Sequence, residues 1–389
     1  MNHNLKEEKS IQPFFERFRS LLRERIGDKP SPLILIQGGF GKHNTGDDTL
    51  LRVASRQVRA VYPGARIIAL CHNPAFLMES YGIEGVRFQS LRTIRLLFAC
   101  DALVLASGGL VNHIDFTSVL RSIVNPRGKF TFLTAWTVLL RKKITVAFGV
   151  GIHQVPDPVV RFLMNRVLPR MSLICVRDKY SVDTLERMGI KNYYFAHDPA
   201  LVFEPEKEFD WEAFREKYQV PDGPVVMFNY RYTKDEKETQ NAISVFAKYI
   251  DFLEKKYPGT TLLMVPFSIH PTFPLENDVT AFEELKKTAV EKYGVKNICL
   301  VDDYQTADEI KGIAGHAELL VLTRHHAPVL TYDCGAPTIV VSYNLKCREF
   351  AELGGYEYTI DYDKLNLEKL VEISEKILGF PVSKKREEA

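Results

Sequence analysis

Mostly apolar runs alternate with helix-like stretches along nearly the whole 389-residue chain. The runs PLILIQGG, KITVAFGVG and PTIVVSYN are apolar on consecutive positions, which is typical of strands buried on both faces. A helical period separates each run from the next, and such a spacing is typical of parallel strands joined by helical crossovers. The sequence therefore predicts an α/β protein with parallel sheets covered by helices.

The alternation pauses once, in a polar and charged stretch at residues 206–223. Together with the chain length, this pause predicts an N-terminal Rossmann-like domain at 1–205, a linker at 206–223 and a C-terminal Rossmann-like domain at 224–389. Two such halves predict a central cleft, bordered by the carboxyl ends of strands from both sheets.

Composition limits the classes of partner. The net charge of +2 predicts no general attraction to nucleic acid or to anionic membranes, so any positive site must be local. The 6 cysteines are scattered, without CxxC pairs or metal-ligand spacing, which predicts a reduced cytoplasmic chain without a zinc site. The charged N-terminus is unlike a signal peptide, and we expect no cofactor.

The N-terminal stretch has the apolar period of one amphipathic helix. This helix either packs on its own domain or contacts a membrane peripherally, and the pattern leaves both open. The apolar run at residues 130–140 is too short to span a bilayer. The apolar positions of the N-terminal helix are Ile11, Phe14, Phe15, Phe18, Leu21 and Leu22.

The first strand runs into the glycine-rich turn GGFGKHNTGDD. This turn is not a P-loop, because Lys42 is followed by His43 instead of Ser or Thr, and it does not fit GxGxxG. It is either a tight strand-to-helix turn, with Asp47 or a neighbour capping the helix, or a loop that faces a ligand. The candidates for a ligand-facing loop are Gly41, Asn44 and Asp47.

Two later turns also follow apolar strands. The stretch ASGGLVNH supplies Gly108, Gly109, Asn112 and His113. In CVRDKYS, Arg177 leaves a strand end, and Asp178 is placed to cap the following helix. Arg177 either pairs with Asp178 or clamps an anion with its guanidinium.

The C-terminal half carries the strongest signal, in LLVLTRHHAPVL. Arg324, His325 and His326 lie between a buried strand and a short helix. Lys346 follows the next strand and adds a further cation. An arginine and titratable imidazoles at one strand end predict a phosphate or carboxylate site with acid–base capacity.

Together these motifs resemble the polysaccharide pyruvyl transferases over nearly the whole chain. The resemblance departs from the family pattern at Ser107 and His153, where the family has glycine. The matching residues are Gly41, Asn44, Gly46, Asp47 and Asp48 in the first turn; Arg177, Asp178 and Ser181; Asp198 to Ala200; and Arg324, His326, Ala327, Gly335, Pro337, Tyr343 and Lys346.

The resemblance implies a GT-B-like fold and transfer of a pyruvyl group from phosphoenolpyruvate to two hydroxyls of a sugar. It implies that Arg177, Arg324 and His326 belong to the phosphoenolpyruvate site, to which we add His325 and Lys346. We expect His326 to be the main acid–base or phosphate-contacting group, with His113 as a partner. We assign Gly41, Asn44, Asp47, Gly108, Gly109 and Asn112 to the acceptor side or its loops, and we expect no metal.

Two alternatives remain. One is a GT-B glycosyltransferase that uses a nucleotide sugar, with a carboxylate from VDDYQTADE (301–309) for the ribose. The other is a non-catalytic glycan-binding member of the family. The acceptor sugar is open among lipid-linked, nucleotide-linked and polymeric forms. The apolar N-terminal helix leaves attachment of this cytoplasmic chain to the inner face of the membrane open.

Overall fold

The computed structural model describes residues 10–88, 90–109, 131–152 and 158–378. The chain divides between Phe203 and Glu204 into two compact units. Each unit is built on one parallel sheet, as its alternating sequence pattern predicts.

The N-terminal unit contains a seven-stranded parallel sheet in the order β3-β2-β1-β4-β5-β6-β7. Apolar runs form its central strands, since these are buried on both faces. The strands are β1 Leu33–Gln37, β2 Arg66–Cys71, β3 Glu84–Arg87, β4 Ala102–Leu105, β5 Ile144–Val150, β6 Leu173–Val176 and β7 Tyr194–Phe195. The described helices are α1 Gln12–Ile26, α2 Thr45–Arg59, α3 Pro74–Tyr81, α4 Leu91–Ala99, α5 Thr131–Leu140, α6 Pro158–Val167 and α7 Lys179–Arg187.

The C-terminal unit contains a six-stranded parallel sheet in the order β10-β9-β8-β11-β12-β13. Its strands are β8 Val225–Asn229, β9 Thr261–Met264, β10 Ile298–Leu300, β11 Leu319–Leu322, β12 Thr338–Ser342 and β13 Tyr358–Asp361. Its helices are α8 Trp211–Tyr218, α9 Glu236–Lys256, α10 Asp278–Tyr293, α11 Ala307–Gly315, α12 His326–Leu330, α13 Leu345–Gly354 and α14 Leu367–Leu378. The prediction of two parallel-sheet α/β domains is confirmed.

The segment 206–223 contains helix α8 and packs within the C-terminal unit. The carboxylate of Asp308 accepts hydrogen bonds from the backbone of Glu206 and Lys207. The ring of Phe209 lies so close to α11 that a Cβ on Gly312 would stand 2.1 Å from it. These contacts bind the start of the segment to α11.

The sequence pattern did not predict two short edge strands, β3 and β13. Strand β3 contains only one buried residue, and β13 contains one as well. Edge strands need no continuous apolar run, because only one of their sides pairs with the sheet. The predicted helical region at 115–141 includes α5, while its residues 115–130 lie outside the described residues.

Helix α1 buries its apolar face in its own unit. Phe14 is fully buried, and its ring centroid lies 5.3 Å from that of Phe148 on β5 in an edge-to-face contact. Phe15 stacks on the same ring at 5.6 Å. This face is therefore part of the core and is not the membrane-contacting surface that the sequence left open. Within the described ranges, no helix has the length and hydrophobicity to cross a bilayer.

We expect Phe14→Ala to lower the free energy of unfolding by about 3–5 kcal/mol, because it removes a fully buried ring and leaves a cavity. Urea denaturation monitored by circular dichroism measures this change. The matched control is Phe98→Ala, since Phe98 is half exposed, and we expect it to cost less than about 1 kcal/mol. Equal effects of the two changes would show that α1 does not contribute to the core.

Candidate functional site

The first glycine turn is held together by its own side chains. Asn44 is the N-cap of α2, and its side chain accepts a hydrogen bond from the backbone N–H of Asp47 at 3.3 Å. The cap is therefore Asn44, and the expectation that Asp47 or a neighbour caps the helix is wrong because Asp47 already lies inside it. Gly41 has φ of 73°, and its N–H donates to the buried carboxylate of Asp48 at 3.0 Å.

Asp47 joins the first glycine turn to the second. The N–H of Gly108 donates to the Asp47 carboxylate at 3.3 Å. A Cβ on Gly39 would lie 2.7 Å from the same carboxylate, so the glycine permits this close approach. Gly109 follows directly, and its carbonyl accepts from the hydroxyl of Ser107 at 3.4 Å. The other two candidates of this turn, Asn112 and His113, lie outside the described residues.

Arg177 follows β6 and forms a buried ion pair with Asp198. Its guanidinium also donates to the carbonyl of Gly108 at 2.6 Å. Asp178 is engaged elsewhere, since it caps α7 by accepting from the N–H of Ser181 at 2.8 Å. The pairing of Arg177 with Asp178 that the sequence left open is therefore replaced by a pairing with Asp198. Asp47, Gly108, Arg177 and Asp198 form one connected network within the N-terminal unit.

In the C-terminal unit, three neighbouring strands present polar side chains at their carboxyl ends. Strand β11 lies between β8 and β12, and Leu322 on β11 is paired in register with Asn229 on β8. Arg231 and Arg324 each follow this register pair by two residues. The two arginines therefore leave adjacent strands at the same level, with Tyr343 following on β12.

The positive charge of Arg324 is balanced by a buried carboxylate. Its Nε donates to both carboxylate oxygens of Asp278, at 2.7 and 3.0 Å. Burial acts to lower the pKa of Arg324, but the charge and hydrogen bonds of Asp278 outweigh burial and raise the pKa above its ordinary value. Asp278 also accepts from the backbone of Phe267 and Ser268. Arg324 is thus a fixed part of the framework and remains charged.

Arg231 is the cation that the sequence reasoning missed. Its guanidinium lies 4.6 Å over the ring of Tyr343 and donates to the Tyr343 hydroxyl at 3.1 Å. It is only partly buried and has no acidic partner among the residues that the structure describes. Its position directly after an apolar strand could have identified it as a candidate, because the same position identified Arg177 and Arg324.

Desolvation raises the pKa of the Tyr343 hydroxyl, while the positive charges of Arg231 and Arg324 act in the opposite direction. Both arginines therefore lie within electrostatic range of Tyr343.

The remaining predicted residues of this half lie at the starts of two helices. His326 is the first residue of α12, and its ring centroid is 5.1 Å from that of His325. Lys346 is the second residue of α13, whose N-cap Asn344 accepts from the N–H of Cys347 at 3.0 Å. Helices α12 and α13 follow β11 and β12 directly, so the structure brings these three residues to the same sheet edge as Arg231 and Arg324.

The acidic stretch proposed for ribose recognition is largely occupied by internal contacts. Asp303 pairs with Lys217 at 2.6 Å, and Asp308 accepts from the N–H of Glu206 at 2.6 Å. Glu309 forms a capping box with Thr306 at the start of α11. Three of the four carboxylates in residues 301–309 therefore have structural partners.

A family model described as polysaccharide pyruvyl transferase matches residues 44–344. The chain belongs to the polysaccharide pyruvyl transferase family. This membership confirms the resemblance drawn from the motifs and supports a role in pyruvyl transfer to glycans. A comparison with curated proteins finds no match for the chain.

Solved structures show the fold. The UDP-GlcNAc 2-epimerase from Methanocaldococcus jannaschii aligns with 15% identity and a TM-score of 0.56, covering 91% of this chain and 93% of the epimerase. The Neisseria meningitidis enzyme bound to UDP-GlcNAc aligns with 12% identity and a TM-score of 0.55, covering 90% and 92%. The S. aureus MnaA–UDP structure aligns with 12% identity and a TM-score of 0.56, covering 90% and 88%. The chain therefore has a GT-B-like fold of two parallel-sheet α/β domains.

The two adjacent arginines of the C-terminal unit should differ in their effect on stability. We expect Arg324→Ala to cost about 3–5 kcal/mol, because it leaves the buried Asp278 carboxylate without its counter-charge. We expect Arg231→Ala to cost about 1–2 kcal/mol, since it removes a partly exposed cation–π contact and hydrogen bonds to the Tyr343 hydroxyl and the Tyr232 carbonyl but leaves no buried carboxylate behind. Denaturation midpoints of the two variants measure the difference, and comparable losses would mean that Arg231 is also part of the framework.

Proposed function

We propose that this pyruvyl transferase takes its pyruvyl group from phosphoenolpyruvate. It attaches the three-carbon unit to two hydroxyls of one sugar, in a cell-surface glycan or its precursor, as a cyclic ketal and releases phosphate. The observation that supports this most directly is the concentration of cations and imidazoles at one sheet edge of the C-terminal unit. That cluster comprises Arg231, Arg324, His325, His326 and Lys346.

Phosphoenolpyruvate carries a carboxylate and a phosphate on one small frame, so its site must supply uncompensated positive charge as well as hydrogen-bond donors. Asp278 compensates the charge of Arg324, which makes Arg324 a fixed donor and positioning group. Arg231 has no such carboxylate within the part of the chain that the structure describes, and stacking on Tyr343 limits its motion. We assign Arg231 to the anion, where a guanidinium forms charge-assisted bidentate pairs.

The other predicted donor ligand, Arg177, has a comparable internal partner in Asp198. With its side chain 5% exposed and its fork also bound to Gly108, Arg177 has few directions left for a ligand. We therefore assign Arg177 to holding the glycine turn of the N-terminal unit in shape. This turn contributes Asp47, Gly108 and Gly109 to the acceptor side.

The reaction needs proton transfers that an imidazole can perform. A proton adds to the methylene carbon of phosphoenolpyruvate, and the adjacent C2 acquires oxocarbenium character. The first sugar hydroxyl forms a C–O bond to C2 and gives up its proton to a base. The second hydroxyl then forms its own C–O bond as the C2–O bond to phosphate breaks, and its proton passes to a base or to the leaving phosphate. We assign proton transfer or phosphate contact to His326, since a histidine exchanges protons near neutral pH.

The nucleotide-sugar alternative has less support in this chain. The printed titles of the solved neighbours name UDP and UDP-GlcNAc, but their likeness concerns the fold. The stretch expected to supply a ribose ligand uses Asp303, Asp308 and Glu309 in internal contacts. A nucleotide sugar is therefore retained as a competing ligand in the test of the proposal.

The test combines binding with turnover. Thermal shift with phosphoenolpyruvate, and separately with UDP-GlcNAc, identifies the donor. Phosphate release is then followed with phosphoenolpyruvate and a panel of p-nitrophenyl hexosides whose 4- and 6-hydroxyls are free, and mass spectrometry detects the added pyruvyl ketal. We expect stabilisation by phosphoenolpyruvate and acceptor-dependent phosphate release. Stabilisation by UDP-GlcNAc alone, without phosphate release from phosphoenolpyruvate, would reject the proposal.

The assignment of Arg231 is tested by Arg231→Met, which keeps much of the side-chain volume and removes the charge. Loss of a charge-assisted contact worth about 1.5–3 kcal/mol should raise the KM for phosphoenolpyruvate by about 10- to 100-fold. The matched control is Arg348→Met in the same unit, since Arg348 is an exposed arginine paired with Glu352 and Asp361. We expect the control to keep the wild-type KM; similar kinetics of both variants would remove Arg231 from the donor site.

His326→Gln separates proton transfer from binding. Glutamine retains a hydrogen-bonding side chain but does not exchange a proton near neutral pH. We expect kcat to fall by about 100-fold or more, while phosphoenolpyruvate still stabilises the protein in thermal shift. An unchanged kcat would show that the acid–base group is another residue.

A further inference from the structure

Helices α4, α5 and α6 form one layer on the N-terminal sheet, with α5 packed against both neighbours. Their inner sides enter the core through residues such as Leu97, Val138 and Met164. Their other sides form a surface that we call the outer face. Large apolar side chains are exposed on it: Leu91 (77%), Ile94 (53%), Phe98 (51%), Leu133 (41%), Leu140 (74%) and Phe162 (50%).

The exposed side chains follow helical spacing. Leu91, Ile94 and Phe98 on α4 are separated by three and four residues, and Leu133 and Leu140 on α5 by seven. Side chains at these spacings project from the same side of a helix. The outer face is therefore a second apolar side on helices whose first apolar side already fills the core. Soluble proteins rarely expose such a patch unless a partner covers it.

The three helices of the outer face and the turns after them carry charges of one sign, although Arg92 pairs with Glu84 and Lys143 with Asp101, both outside these segments. Residues 91–99, 131–143 and 158–170, which contain the three helices and the turns after α5 and α6, include no aspartate or glutamate. The whole chain, by contrast, has 51 basic and 49 acidic residues. The basic residues of the three segments are Arg92, Arg95, Arg141, Lys142, Lys143, Arg161, Arg166 and Arg170.

Cations and apolar groups are intermingled on this surface. The guanidinium of Arg141 lies 5.1 Å from the ring centroid of Phe98, and that of Arg166 lies 5.0 Å from the ring of Phe162. Each aromatic ring thus carries a cation beside its exposed surface. A partner of this face must accommodate apolar side chains and supply negative charges at the same depth.

A cavity of about 550 Å³ adjoins α6. Arg161 and Arg187 line it together with Asn165 and Met188, so it combines two cations with an apolar wall. This lining matches a phosphate group attached to a hydrocarbon chain. It extends the basic and apolar character of the outer face to the neighbouring helix α7.

We propose that the outer face docks the protein on an anionic phospholipid membrane. The apolar side chains enter the boundary between headgroups and acyl chains, and the arginines and lysines meet the lipid phosphates. A second copy of the chain is a poorer partner, because a symmetric contact would place one predominantly basic surface against another. This membrane surface differs from α1, whose apolar face is buried, and it does not depend on the proposed donor.

The test is flotation of the full chain with phosphatidylcholine vesicles that contain phosphatidylglycerol, compared with pure phosphatidylcholine vesicles. We expect binding to the anionic vesicles that weakens as salt is raised, since the attraction is electrostatic in part. The variant Leu91→Ser/Leu140→Ser removes the two most exposed leucines of the face. We expect its partition to anionic vesicles to fall about tenfold.

The matched control is Phe273→Ser/Leu275→Ser, which removes two exposed apolar side chains, 61% and 50% exposed, from the C-terminal unit. It should bind vesicles as the wild type does, and thermal melting should show both double variants folded. Absence of vesicle binding by the wild type, or equal binding of the Leu91/Leu140 variant, would overturn the proposal. A wild-type dimer that this variant converts to monomer would assign the face to a second copy instead.

Discussion

Buried aspartates determine what the strand-end arginines of each unit can do. A guanidinium held away from water must have a counter-charge, because an unpaired buried charge is strongly destabilising. Asp198 supplies that charge to Arg177, and Asp278 supplies it to Arg324. Each arginine–aspartate pair has a net charge close to zero. Its arginine can therefore orient an anion through hydrogen bonds but attracts it only weakly. Net positive charge for a doubly anionic ligand must come from cations that have no such partner.

Arg231 and Arg324 show how neighbouring positions acquire different roles. Each lies two residues after one member of the register pair formed by Asn229 and Leu322. Among the residues that the structure describes, Asp278, the first residue of α10, pairs with Arg324 and not with Arg231. Asp278 also accepts from Asn229 and from the backbone after β9, so several elements depend on it. Removing Arg324 would disturb this junction as well as any ligand, which makes activity loss alone a weak indicator of its role. Arg231 is the better probe, since its contact with Tyr343 lies at the edge of the network.

The sequence predicted the class of fold and the strand ends that carry polar groups, because buried parallel strands leave an unmistakable apolar run. It did not identify the partners of the arginines. Asp178 was the obvious counter-charge for Arg177 in sequence, but a helix start needs a cap, and Asp178 supplies it. The actual partners are separated in sequence from Arg177 by 21 residues and from Arg324 by 46. Strand β3 was not predicted for a related reason. An edge strand is identified by its pairing with the next strand, here β2, and not by its own composition.

The same distinction between local pattern and assembled surface applies to charge. The chain is nearly neutral overall, and a neutral total says little about any one face, because screening limits electrostatic interactions to distances of about 10 Å. Helices α4, α5 and α6 are separated in sequence, and each alone reads as an ordinary amphipathic or apolar helix. Only their packing into one layer places their exposed leucines and phenylalanines among eight cations, of which Arg92 and Lys143 pair with Glu84 and Asp101 outside the layer. The N-terminal unit thus has two separate features. Its strand ends hold the polar network, and the outer sides of its helices form a basic and apolar surface.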